Sequence, residues 1–168
     1  MSRVIIVGNG SSLLERENGK IIDEFDVVVR FNSYKTRGYE VFVGEKTSIW
    51  FTVNASHVDK IFDKVYVHSW QYDPKKCEVY KEVYRKIPCL KITKKDADNT
   101  GLEYPSTGLI AIFKMLESFD FVTITGFDWW GKEEHHYGDN ELRGSLHDPK
   151  KEYEVIKKLE SNDKLFFL

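Results

Sequence analysis

A polar, aromatic-rich stretch, residues 126–152, contains the side chains best suited to acid–base chemistry. Three of the five histidines lie in it: His135, His136 and His147. Histidine is the side chain that exchanges a proton near neutral pH. The stretch follows an apolar run, residues 121–125, and so lies at the carboxyl end of a predicted strand, where open α/β sheets bind ligands. The alternative interpretation is a surface loop that happens to contain histidines, and the histidines alone leave both interpretations open.

A second polar loop follows the first apolar run of the chain. Residues 4–7 are a continuous apolar run typical of a buried parallel strand. The next five residues can cradle a phosphate with their amides and side chains, among them Asn9, Gly10 and Ser11. A dinucleotide site would need glycine where Leu13 stands and an acid where Asn32 stands. The pattern therefore predicts a Rossmann-like first turn without NAD, or an ordinary turn.

A third candidate site is the start of the most regular helix in the sequence. Residues 109–119 have apolar side chains at helical spacing, and Ser106 or Thr107 is a natural N-cap. Amide groups at such a helix start, including that of Gly108, favour anions. A plain cap without a ligand is the alternative.

These candidate sites belong to one alternating pattern of strands and helices. The predicted strands are residues 4–7, 26–32, 47–52, 65–68, 89–92, 121–125 and 165–168. The predicted helices are residues 19–25, 57–63, 80–85, 109–119 and one that starts at His147 or Asp148, with Pro149 in its first turn, whereas residues 93–104 are predicted to be a polar loop. The pattern predicts a single α/β domain, residues 1–168, with a Rossmann-like, mostly parallel seven-stranded sheet and helices on both faces.

Composition excludes several classes of protein. Lys and Arg total 25 against 27 Asp and Glu, so the near-neutral balance argues against a general nucleic-acid binder. No apolar run approaches the roughly 18 residues of a membrane span. The first residues lead directly into a strand, so we expect no signal peptide and a soluble, cytoplasmic protein. Cys77 and Cys89 have no metal-ligand spacing, and nothing requires a disulfide between them.

Four short motifs, in order, resemble the sialylmotifs of the animal-type sialyltransferases, glycosyltransferase family 29. The long motif resembles residues 7–32, and the short motif resembles residues 105–109 with Gly126 and Phe127 at its end. The third motif resembles residues 136–139. The very short motif is a histidine followed five positions later by glutamate, here His147 and Glu152.

The resemblance implies a variant glycosyltransferase-A fold and an inverting, metal-independent reaction without a cofactor. Sialic acid or a related 2-keto sugar would move from a CMP-sugar donor to a hydroxyl of a glycan acceptor. By the same resemblance, His147 would be the general base and His136 would help CMP leave. The implied donor-binding residues are Asn9, Gly10, Ser11, Asn32, Ser106, Thr107, Gly108 and Tyr137. Glu152, Asp128 and Trp129 would support the site.

The chain also departs from the family pattern. Neither cysteine of the family's disulfide is present, which is typical of a compact member of microbial or viral origin in a reducing cytoplasm. The segment between the long and short motifs is compressed, so the acceptor-binding loops are reduced. A CMP-sugar hydrolase and a non-catalytic nucleotide- or glycan-binding module therefore stay open as alternatives.

Two further interpretations concern the 126–152 stretch. A metal-dependent hydrolase would use His135, His136, Asp139 and His147, but their spacing is not that of a standard zinc site. Trp129 and Trp130 either stack against an acceptor sugar or pack the loop.

Overall fold

The computed structural model describes residues 2–68, 78–128, 137 and 146–168. Seven strands form one sheet in the order β5-β4-β3-β2-β1-β6-β7, and every neighbouring pair is parallel. The strands are β1 (Val4–Val7), β2 (Val27–Phe31), β3 (Ile49–Thr52), β4 (Lys64–His68), β5 (Leu90–Ile92), β6 (Val122–Thr125) and β7 (Leu165–Phe167). The sequence prediction of a mostly parallel, seven-stranded α/β sheet is confirmed.

Helices cover both faces of the sheet, as the apolar runs in its central strands require. They are α1 (Gly19–Asp23), α2 (Glu40–Val43), α3 (Glu78–Lys86), α4 (Lys94–Asp98), α5 (Thr107–Leu116) and α6 (Pro149–Ser161), with a 3₁₀ helix at Ser11–Glu15. Alternate residues of each strand point to opposite faces. Ile6 and Phe51 belong to the core beneath α5, whereas Ile5 and Val28 pack with residues of α1 and α2.

The structure corrects two sequence predictions about helices. Residues 93–104, predicted to be a polar loop, contain α4, because Thr93 and Asp96 form a reciprocal capping box. Residues 57–63, predicted to be a short helix, form a turn followed by irregular backbone. The Lys60 amide bonds to the carbonyl of His57, whereas the Asp63 amide bonds to the carbonyl of Ser48. The 3₁₀ helix and α2 had no predicted counterpart.

The strand order brings the ends of several strands and the start of α5 to one edge of the sheet. Because all strands are parallel, β1 to β4 end at the same edge. Helix α5 packs against β1, β3 and β6 and leads into β6, so it begins at that edge. The chain direction across the sheet reverses between β1 and β6, and the crevice at such a reversal is where open α/β sheets bind ligands.

None of the helices in the described ranges is long and apolar enough to cross a bilayer.

Candidate active site

The loop after β1 is held against the segment after β6. The amide of Gly8 donates to the carbonyl of Thr125, and that of Gly10 donates to the carbonyl of Gly126, both at 2.8 Å. A Cβ on Gly8 would lie 2.1 Å from the Gly126 oxygen, so only glycine permits this approach. These amides bind the protein itself and do not form the phosphate cradle that the sequence suggested.

Asp128 completes the support of this loop. Its Oδ2 atom accepts from the amide of Ser12 at 3.0 Å. A Cβ on Gly10 would lie 2.5 Å from the same carboxylate. Asp128, predicted to support the site, thus holds the loop after β1, and Gly10 contributes close packing.

The side chains of Asn9 and Ser11 are the polar groups of the loop that suit a ligand. Asn9 Nδ2 lies 3.4 Å from the Phe31 carbonyl. Asn9 Oδ1 and Ser11 Oγ are shielded from solvent and have no hydrogen-bond partner in the described part of the chain. Shielded polar atoms without partners are costly, so a ligand that engages them would stabilise the loop.

Asn32, the residue after β2, lies in the left-handed region, with φ at 45°. Its Oδ1 accepts from the amide of Val53 at 2.9 Å, and its carbonyl accepts from Trp50 Nε1 at 3.0 Å. Asn32 thus links the ends of β2 and β3. Because Oδ1 is engaged, a ligand contact would use Nδ2, a donor suited to an anionic or carbonyl oxygen.

The neighbouring Arg30 does not join this edge. Its guanidinium is buried and donates to the carbonyls of Lys46 and Val43, near the end of α2. The pattern that ends β2 in Arg and Asn therefore contributes one side chain to the core and one to the edge.

Ser106 is the N-cap of α5, with its Oγ accepting from the Leu109 amide at 3.2 Å. Glu152 in the first turn of α6 is 2% exposed. Its carboxylate accepts from the Ser106 amide at 2.6 Å and from Ser106 Oγ at 2.8 Å. Glu152, predicted to support the site, joins the starts of α5 and α6.

Thr107 and Gly108 form the first turn of α5, where backbone amides point out of the helix. A Cβ on Gly108 would lie 2.7 Å from the ring of Phe127. Glycine therefore allows the helix start to pack closely on the segment after β6.

His147 lies immediately before the cap of α6. Its Nδ1 is 3.0 Å from the carbonyl of Tyr104. A carbonyl can only accept, so this bond assigns the ring proton to Nδ1 and leaves Nε2 as the proton acceptor. Asp148, the N-cap itself, accepts from the amides of Lys150 and Lys151, and the latter bond is the main reason that the pKa of Asp148 is lowered. His147 therefore has a proton-accepting nitrogen and lies immediately before the start of α6.

His68, the last residue of β4, was predicted only as part of a strand. Its Nδ1 lies 3.2 Å from Thr107 Oγ1. Burial and the charge of His147 lower the pKa of His68 to about 4. The sequence feature that could have indicated a site residue here is an imidazole at the carboxyl end of an apolar strand.

Tyr137 is buried against the loop after β1. Its amide donates to the Asn9 carbonyl at 2.9 Å, and its hydroxyl donates to the carbonyl of Lys35. Burial raises the pKa of Tyr137. The rings of Tyr137 and Tyr39 meet edge to face, so Tyr137 itself is held beside the loop after β1.

His136 and Trp129, two of the predicted site residues, lie outside the described residues, as do His135, Trp130 and Asp139. Within the described ranges, no group of three His, Cys, Asp or Glu side chains is arranged to hold a metal ion. Cys89 has a free thiol. A cavity of about 250 Å³ lies along the ends of β6 and β7, lined by residues that include Ser12, Arg16, Phe127 and Phe167. Neither His147 nor Thr107 lines this cavity.

Comparison with known proteins places this arrangement in a family. The model of glycosyltransferase family 29 (sialyltransferase) matches residues 1–80 and 65–164. The chain is 27% identical over 203 residues to CMP-N-acetylneuraminate-beta-galactosamide-alpha-2,3-sialyltransferase 4 of Rattus norvegicus, covering 94% of this chain and 61% of that protein. It is 28% identical over 197 residues to sialyltransferase 1 of the same series from Gallus gallus, covering 98% of this chain and 57% of that protein. The chain thus spans about three fifths of the length of these curated relatives.

Solved structures agree on the fold. A mammalian sialyltransferase superposes with a TM-score of 0.76 at 23% identity, over 99% of this chain and 68% of that one. A mammalian sialyltransferase in complex with Gal-beta-1-3GalNAc-ortho-nitrophenol gives 0.72 at 22% identity, over 99% and 69%. The fold is therefore that of these sialyltransferases, and by its match to the family model the chain belongs to glycosyltransferase family 29.

Proposed function

We propose that the chain transfers sialic acid, or a related 2-keto sugar, from a CMP-sugar donor to a glycan hydroxyl, with inversion and without a metal. The observation that carries this proposal is the geometry of His147. Its Nδ1 is bonded to the carbonyl of Tyr104, so Nε2 is left as a proton acceptor. Tyr104 lies two residues before Ser106, the N-cap of helix α5, whose start favours anions.

The donor side of the reaction requires stabilisation of negative charge. In the transfer, the bond between the sugar C2 and the CMP phosphate oxygen breaks, and the phosphate leaves as an anion. The first turn of α5, with Thr107 and Gly108, offers outward amides and the positive end of a helix dipole. Asn32 follows β2, and Asn9 and Ser11 follow β1, the strand beside β2. Such fixed donors stabilise the leaving group.

The acceptor side requires the removal of one proton. The glycan hydroxyl attacks C2 from the side opposite CMP, which inverts the configuration, and His147 Nε2 takes the hydroxyl proton. General-base catalysis of this kind contributes roughly 10²–10⁴-fold. Glu152 does not touch the reacting atoms. It fixes the start of α6, next to His147, against Ser106.

The relatives' names support the choice of substrates. They specify CMP-N-acetylneuraminate as the donor and a beta-galactosamide as the acceptor. Because the chain spans about three fifths of those relatives, hydrolysis of the donor by water is the second candidate. The cytoplasmic location stays a prediction from the sequence.

The experiment that tests the proposal follows both products. The protein is incubated with CMP-N-acetylneuraminate, with and without a pool of galactose-terminated glycans, and sialylated glycan and free sialic acid are quantified by mass spectrometry. We expect CMP release to rise with glycan and a sialylated product of inverted configuration by NMR, unchanged in excess EDTA. Release that is independent of glycan, with free sialic acid as the product, would establish the hydrolase instead.

A further inference from the structure

His68 contacts the donor-facing helix from a strand that no motif of the family covers. It is the last residue of β4, and its imidazole reaches Thr107, 39 positions later in the sequence, with Nδ1 3.2 Å from Oγ1. The contact joins the carboxyl edge of the sheet to the first turn of α5. A strand-end side chain in that place is positioned by the sheet and is therefore held precisely relative to the helix.

The contact belongs to a larger arrangement around residues 104–107. His147 binds the carbonyl of Tyr104 at one end of this segment. Glu152 binds the amide and hydroxyl of Ser106 in its middle. His68 binds the Thr107 hydroxyl at its other end. Three side chains thus bind three of the four residues in segment 104–107, and each binds different polar groups of that segment.

The surroundings of His68 keep its ring uncharged, which suits it to orienting a neighbouring group and not to carrying charge. It is mostly buried, and burial together with the charge of His147 lowers its pKa to about 4. At neutral pH the ring is therefore uncharged, so it neither neutralises a phosphate nor repels a protonated His147. What a neutral imidazole can supply is one donated and one accepted hydrogen bond.

We propose that His68 is a positioning residue that donates its Nδ1 proton to Thr107 Oγ1, so that the Thr107 hydroxyl in turn donates to an oxygen of the bound CMP moiety. The inference rests on the proposed function, because it takes CMP as the ligand. It assigns to Thr107 a fixed direction for its own proton. Without His68, the hydroxyl would rotate freely or turn toward the backbone of the preceding segment, as threonine hydroxyls do.

The first test uses the ring of the wild-type protein and needs no ligand. Nitrogen-15 spectra of the histidine side chains distinguish the two neutral tautomers, and assignment by loss of the signal in His68→Asn identifies this ring. We expect the Nδ1–H tautomer at pH 7. An Nε2–H tautomer, in which Nδ1 accepts from Thr107, would overturn the proposal.

The second test measures CMP affinity by calorimetry in matched variants. Asparagine places an N–H near the position of histidine Nδ1, whereas leucine has a similar shape and no donor. We expect His68→Leu and Thr107→Val each to weaken CMP binding about tenfold, the size of one hydrogen bond to a charged ligand. His68→Asn and Thr107→Ser should stay within about threefold of the wild type.

The double variant separates positioning from general stability. If the two residues act as one unit, His68→Leu with Thr107→Val should lose about tenfold, since each single change already removes the shared contact. A loss equal to the product of the two single losses, or wild-type affinity in His68→Leu, would overturn the inference. Thermal melts of each variant check folding, and the tautomer measurement stands if His68→Leu does not fold. Wild-type protein that does not bind CMP would instead contradict the proposed function, on which the inference depends.

Discussion

His147 and His68 contact one short segment, yet their hydrogen bonds suit them to different tasks. His147 binds a carbonyl through Nδ1, which leaves Nε2 able to accept a proton. His68 binds a hydroxyl and is neutral over the physiological range. In our proposals, His147 accepts a proton and His68 orients a hydroxyl, although both lie at the same edge of the sheet.

The lowered pKa of His68 predicts a measurable acid sensitivity. The folded-state pKa is about 4 and the ordinary value is 6.5, so between these values the unfolded chain binds the additional proton. Stability from this group is therefore fully present above pH 6.5 and is lost as the pH falls toward 4. From pH 7 to 4.5 the loss is about 2–3 kcal/mol.

Chemical denaturation at a series of pH values checks this prediction. Wild type and His68→Asn are compared, so that the titration of other groups cancels. We expect the difference in unfolding free energy between the two proteins to shift by about 2–3 kcal/mol over that pH interval, in favour of the variant at low pH. Parallel stability curves for the two proteins would show that His68 is protonated at its ordinary pKa.

Sequence analysis proposed a role for His147 but none for His68, and the reason is physical. His147 belongs to a polar, histidine-rich segment, and with Glu152 it resembles the very short motif of the family. His68 ends an apolar run and contacts a residue 39 positions away. The arrangement of β4 beside α5 creates that contact, and no local pattern encodes it.

At the scale of elements, α5 and α6 are joined through one buried carboxylate. Glu152 accepts two hydrogen bonds from Ser106, the residue that also caps α5. Replacing it with alanine removes both bonds and leaves a buried amide without its acceptor. We expect Glu152→Ala to lower the unfolding free energy by about 3 kcal/mol.

A neighbouring residue provides the control for this change. Glu154 lies in the same helix and is exposed, so Glu154→Ala should change the unfolding free energy by less than about 0.5 kcal/mol. Urea denaturation of both variants gives the comparison. Equal losses in the two variants would mean that the bonds between Glu152 and Ser106 contribute nothing to stability.

The elements themselves were largely predictable. The seven strands are short apolar runs, and the cap of α5 follows from serine before an amphipathic segment. Helix α4 was missed because its capping box, formed by Thr93 and Asp96, lies in a segment that is polar throughout. The prediction of a helix near His57 is wrong because seven residues of mixed polarity carry too little periodicity to separate a turn from a helix.

At the scale of the whole molecule, the all-parallel sheet brings distant motifs to one edge. Residues from the long, short and very short motifs meet around the start of α5, although their sequence positions run from Asn9 to Glu152. Sequence order predicted this meeting only through the resemblance to the family. The order of the strands, with β1 between β2 and β6, provides its physical cause.

The length of the chain relative to its relatives bears on how an acceptor would bind. The chain covers about three fifths of its curated relatives, yet it contains the sheet edge, the helix start and the base that the proposed chemistry needs. In the proposed reaction, donor activation and proton removal both use elements within this chain, and we expect the two functions to be separable by mutation.

The most direct measurement compares transfer and CMP binding in wild type and His147→Asn. Asparagine retains an N–H near the position of Nδ1, so it can still bind the Tyr104 carbonyl, but it has no base in place of Nε2. We predict that the rate of sialic acid transfer to glycan falls by roughly 10²–10⁴-fold, with the dissociation constant of CMP unchanged. Transfer at the wild-type rate in His147→Asn, or loss of CMP binding together with transfer, would contradict the assignment of His147 as the general base of this site.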